Sequence, residues 1–198
     1  MALYKPKQKE FTSFSGVCDS AIVGFEDKSN DYDFADLILE VQLKQKGSDY
    51  VRKMSIIGEI EKDSSGNVTG GNFAKRLYDF FGVIGCEAGI NIKGEWETND
   101  GEPITDITEY LVSRFAQDSE STDLDYNYIA YFYKDFPKAG KPAYTKVVPI
   151  LQHNNDTGRS ILESSVKWRK DKGYLKEYDE TKAPNDGLDL DGLALDNL

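Results

Sequence analysis

One histidine and two cysteines in 198 residues leave little for a soft metal to bind. His153 stands far in sequence from Cys18 and Cys86, and neither Cys-x-x-Cys nor His-x-x-x-His occurs, so no zinc site is expected. Two cysteines allow one disulfide but no disulfide framework, and a pair of reduced thiols in a cytosolic chain is the simpler expectation. No stretch approaches the roughly 20 apolar residues that a membrane span needs. The basic start, Met1 to Lys9, has no apolar run behind it and does not read as a secretory signal. Gly-x-Ser-x-Gly and the phosphate-binding Gly-x-x-x-x-Gly-Lys-Ser/Thr are both missing.

Weaker signals have plain explanations. Gly70-Gly71-Asn72 opens a helix and could accept an anion there, or simply make a tight turn. Glu26-Asp27-Lys28 has the local form of a magnesium nuclease, which an acidic chain also produces by chance. Asp189-Leu190-Asp191-Gly192 is like the centre of a calcium loop. The glutamate that loop requires would fall on Leu198, and its first ligand on Gly187. No catalytic residue, cofactor or metal is expected.

Net charge is −11, from 35 acids against 24 bases. Charge alone argues against nucleic acid, so any phosphate-binding surface must be a segregated patch. The chain is 39% hydrophobic and 12% aromatic, enough for one packed domain.

Strict alternation over 36–44 puts Leu37, Leu39, Val41 and Leu43 on one face and Glu40, Gln42 and Lys44 on the other. That is a strand with one buried and one wet side. A strand over 14–25 precedes it, and one over 50–60 returns after the Gly47-Ser-Asp turn. Asn72 reads as the N-cap of a helix carrying Phe73, Leu77, Phe80 and Phe81 on one face, ended by Gly82 and Gly85. A short strand over 90–98 and a helix over 105–115 follow. Strands over 126–136 and 143–151 come next, and Ser160-Ile-Leu-Glu163 reads as the capping box of a last helix. Strands of this length with one inserted helix describe a mainly β chain: an OB-fold-like five-stranded barrel with added helices. The expected layout is a basic arm over 1–13, the barrel domain over 14–178 and a disordered acidic tail over 179–198.

Tyrosine and lysine gather in the later hairpin. Tyr126, Tyr128, Tyr131, Phe132 and Tyr133 crowd one strand and run into Lys134; Lys138, Lys141, Tyr144 and Lys146 follow. The hairpin opposite carries Lys44, Lys46, Tyr50, Arg52 and Lys53. Flat rings stack on bases and cations neutralise phosphates, so this mixture suits a single strand. The same rings also suit a barrel wall. Of the two faces of the 126–136 strand, the one with Tyr131 and Tyr133 is expected to meet solvent. The last helix surrounds Trp168 with Lys167, Arg169, Lys170, Lys172 and Lys176. It is expected to be a solvated face, with Ile161, Leu162 and Val166 packed down.

The end of the chain interleaves acids with leucine: Asp186, Asp189, Asp191 and Asp196, closing on Leu198. With 126–146 for the body and 186–198 for the tail, the chain resembles the single-stranded DNA-binding proteins of tailed bacteriophages. The resemblance implies a protein that coats and protects single-stranded DNA in phage replication and recombination, in the host cytoplasm. It implies that the acidic tail competes with DNA for the groove and recruits replication or recombination proteins. It leaves room for a homodimer. The competing expectation is an interaction scaffold acting through the Leu-Asp tail, without nucleic-acid binding.

Overall fold

The computed structural model describes residues 14–137 and 143–179. The basic arm over 1–13, Lys138 and Lys141, and the tail with Asp186, Asp189, Asp191, Asp196 and Leu198 lie outside those residues.

Strands β1 (Gly16–Asp27), β2 (Leu37–Gln45) and β3 (Val51–Gly58) form an antiparallel meander. The alternation in β2 is met: Leu37, Leu39, Val41 and Leu43 are each 2% exposed or less. A small hairpin, β4 (Glu61–Lys62) with β5 (Val68–Gly70), leads into α1 (Asn72–Ile84). A second hairpin, β6 (Ala88–Ile90) with β7 (Trp96–Thr98), leads into α2 (Ile107–Phe115). The chain closes with β8 (Tyr128–Lys134), β9 (Thr145–His153) and α3 (Asp156–Asp171).

The main sheet runs β3-β2-β1-β8-β9 and curls into a half-barrel, bringing its edge strands β3 and β9 near each other. Two irregularities drive the curl. Val23 is extra between the pairs Ile22–Leu43 and Gly24–Gln42, so β1 bends and serves β8 with its first half and β2 with its second. In β9, Val148, Pro149 and Ile150 stand opposite the single residue Tyr131. This wide bulge holds a proline that has no amide to donate.

The hollow of the sheet is filled by Ile22, Phe25, Val41, Met54, Phe132 and their neighbours. It is stoppered by Leu77, Phe80, Phe81 and Ile84 of α1 and by Ile107 and Leu111 of α2. A second apolar layer lies outside, where Leu162 and Val166 of α3, with Leu175, cover Ile129 and Val148. The mainly β, OB-like architecture with added helices is therefore present. Among the described residues no helix is long and apolar enough to cross a membrane.

Several element boundaries differ from the sequence reading. The N-cap of α1 is Gly71 at φ 132°, a conformation open almost only to glycine, and Asn72 instead accepts the Glu59 amide at 3.0 Å. Gly82 is inside α1, and Gly85, left-handed at φ 70°, ends it. The strand expected over 90–98 is a hairpin, because the Asn91 side chain accepts the amides of Lys93 and Glu95 and turns the chain.

The last helix starts four residues before Ser160. Asn155 is its N-cap, accepting the Gly158 amide at 2.8 Å, so Ser160 and Glu163 sit within the helix rather than capping it. Asn155→Ala should lower stability by about 1 kcal/mol, read as a shift of the urea midpoint at unchanged slope.

Candidate nucleic-acid interface

Parity decides the later hairpin. Tyr128, Ala130 and Phe132 point into the barrel, while Ile129, Tyr131 and Tyr133 point outward. The outward face is the one expected to meet solvent, but α3 partly covers it, so Tyr131 and Tyr133 are half-buried rather than open. The apolar stripe of α3 needs a surface, and it takes Ile129 and Val148 with the two tyrosines as walls. The Lys170 ammonium donates to the Tyr131 hydroxyl at 2.8 Å and lies 5.0 Å from the ring centre. Burial pushes both phenols above their ordinary pKa. Tyr128, on the barrel side, stacks on His153 at 5.9 Å.

The loop end of this hairpin is neutralised from within. Asp135 meets the Lys146 ammonium at 2.6 Å and accepts the Tyr144 hydroxyl at 2.8 Å. Lys146 lies 5.3 Å from the centre of the exposed Tyr144 ring. The Lys146 ammonium is the main cause holding the Asp135 carboxyl below the usual aspartate range, and the same contact raises the lysine. Lys134 pairs with Thr145 across the ladder, and its carbonyl accepts the Tyr178 amide.

The opposite hairpin divides too. Lys53 stands opposite Gln42 on the outer face, held between Glu40 at 2.6 Å and Glu26 at 3.1 Å. Lys44, on the same face, donates to the Ser119 carbonyl. Lys46 lies 3.7 Å from Asp19. Arg52 is opposite Leu43 and so turns to the barrel mouth, where its guanidinium covers the Tyr50 ring at 4.4 Å. Its Nε is buried without a hydrogen-bond partner.

The residues expected to form one cationic trough are thus split between faces. Lys46, Lys53 and Lys146 answer carboxylates. Glu26 is itself engaged by Lys28 and Lys53, which accounts for the Glu26-Asp27-Lys28 triplet as a charge cluster around a turn.

Open rings and unanswered cations gather elsewhere. Trp168 is 52% exposed and Tyr174 71%, with ring centres 5.4 Å apart. Exposed Lys167, Lys172 and Lys176 neighbour them in sequence, without an ion pair among the described residues. Ile161, expected to pack down, is exposed on the same helix.

Beside this patch a cleft of about 570 Å³ separates β3, α1, β9 and α3, at the place where the barrel does not close. Its floor is apolar, from Met54, Ile56 and Phe80. Lys75, Arg76 and Asp79 stand on one side and Arg169 on the other. Arg169 has no ion pair among the described residues. Its guanidinium is held below its ordinary pKa first by burial, then by the charge of Arg76.

The chemistry of metals and thiols is spare. Among the described residues no three His, Cys, Asp or Glu side chains gather to hold an ion. Cys18 and Cys86 are both free thiols, and burial pushes Cys86 up to about 11.

Sequence reasoning missed the Arg76–Arg169 pair. The basic run around Trp168 was visible, but nothing local marks Arg76, whose role depends on α1 and α3 flanking one gap. Compared with family models, characterised proteins and solved structures, the chain matches none.

Proposed function

We propose that this chain is a non-catalytic single-stranded DNA-binding protein, of the kind that coats and protects exposed strands during phage replication and recombination in the host cytoplasm. The observation that supports the proposal is the pairing of an OB-like half-barrel with an exposed Trp168–Tyr174 platform on the segment that carries Lys167, Arg169, Lys172 and Lys176, none of which has an ion pair among the described residues. Barrels of this form are suited to single strands because they offer a curved face with loops and rings around it. Stacking on Trp168 and Tyr174 is indifferent to sequence, since every base has a flat face. Arg169, Lys167, Lys172 and Lys176 supply the phosphate contacts.

The acidic remainder of the molecule repels a duplex that cannot thread the patch. In this proposal the tail with Asp186, Asp189, Asp191 and Asp196 competes with weakly held nucleic acid and engages replication or recombination proteins. Lys44, Arg52, Lys134 and Lys146 then belong to the outer reaches of the site rather than to its centre.

Tryptophan fluorescence during titration with oligothymidine and with a duplex, at about 50 mM and 200 mM salt, is the test. Quenching by oligothymidine, a steep loss of affinity at the higher salt and weak duplex binding are expected. Equal affinity for both forms, or none for either, would overturn the proposal. Complete indifference would hand the Trp168–Tyr174 patch to a protein partner.

A further inference from the structure

The cleft between β3, α1, β9 and α3 has two guanidinium groups and an apolar floor. Like charges drawn together in a partly dry cleft repel, and the repulsion is relieved when an anion sits between them. Among the described residues the one acid lining the cleft, Asp79, is already engaged by Lys75 at 2.8 Å. Arg76 donates one N–H to the Ile57 carbonyl at 3.1 Å, which anchors its side chain against β3 and leaves other donors for a ligand. Arg169 has all its donors unclaimed among the described residues.

We infer that this cleft is a nucleotide subsite, in which Arg76 and Arg169 hold one phosphate between them while Met54, Ile56 and Phe80 receive the sugar or base. A guanidinium fork matches phosphate oxygens in geometry as well as charge. The volume lies within the ordinary range for small-ligand sites. A second hollow, lined by Ile150, Ser164, Ser165, Trp168 and Arg169, shares Ile150, Ser165 and Arg169 with the cleft. A base stacked on Trp168 is therefore next in line to the phosphate held by Arg169. The polymeric form of the inference rests on the strand-binding reading, and the free-nucleotide form does not.

Arg169 is the decisive position, since Arg76 also secures β3 and its loss could loosen the fold. Arg169→Gln and Arg169→Lys should keep the wild-type thermal midpoint. Arg169→Gln should bind oligothymidine about tenfold more weakly, with the log–log salt slope reduced by about one. Arg169→Lys should recover part of the affinity by charge alone. In parallel, thymidine monophosphate should shift the arginine side-chain NMR signals of the wild type, and thymidine should not.

Tight oligothymidine binding that Arg169→Gln leaves unchanged would sink the clamp and spare the strand-binding reading. Loss of oligothymidine binding in the wild type, with an Arg169-dependent response to the monophosphate, would sink strand binding and keep the subsite. No response to either ligand would end both.

Discussion

Gly158→Ala should cost about 3 kcal/mol or more and detach the start of α3 from β9. A Cβ on Gly158 would lie 2.2 Å from the carbonyl oxygen of His153 and 3.2 Å from two further backbone atoms of that residue. Neither side can yield cheaply. His153 ends β9, and the intervening Asn154 and Asn155 hold the turn, with the Asn154 amide on the Asn127 carbonyl and the Asn155 side chain on the Gly158 amide. Alanine gains about 1 kcal/mol of helix propensity over glycine, which the overlap far exceeds. Against a total stability of about 5–15 kcal/mol, the loss should be plain in urea denaturation. Gly82→Ala is the control: it lies inside α1 with nothing within 4 Å of the added carbon, so it should be neutral or stabilising. A wild-type midpoint for Gly158→Ala would mean that α3 does not dock as described.

The second large effect is on binding. Trp168→Ala combined with Tyr174→Ala should weaken oligothymidine binding by at least about thirtyfold, because each stacking face contributes about 1–3 kcal/mol. Both rings are well exposed, so the double variant should melt like the wild type. Tyr131 separates this reading from the sequence expectation. It is a half-buried wall under Lys170, and Tyr131→Ala should disturb stability before it disturbs binding. Affinity lost through Tyr131 and kept without Trp168 and Tyr174 would return the site to the β8–β9 hairpin.

Much of the scaffold could be read directly. β2 alternates because one side meets oil and the other water, and burial alternates in step from Leu39 to Gln45, while Ile38 on the outer side is buried too. The apolar face of α1 was visible for the same reason at helical spacing: Leu77, Phe80 and Phe81 are buried. The side chain of Phe73 lies outside what is described.

The site was less legible, for reasons of long-range geometry. On β8 both faces are apolar, since α3 covers the outside as the barrel fills the inside, so alternation could not tell which rings are wet. Nor could it show that Lys53 reaches Glu26 and Glu40, carboxylates from two other strands. A lysine count measures charge before neutralisation. Ligand binding depends on the charge left over, and that follows from which strands become neighbours. The start of α3 was misplaced because Ser160-x-x-Glu163 copies a cap that Asn155 makes one turn earlier.

The unclosed barrel leaves β3 and β9 as the edge strands of the sheet among the described residues, flanking the cleft. Such edges invite another chain to zip on, molecule after molecule, into aggregates. Pro149 removes a donor from β9, and the wide bulge around it spoils the flat register that a visiting strand would need. The gap can stay open to a small guest and still be a poor template for fibril growth.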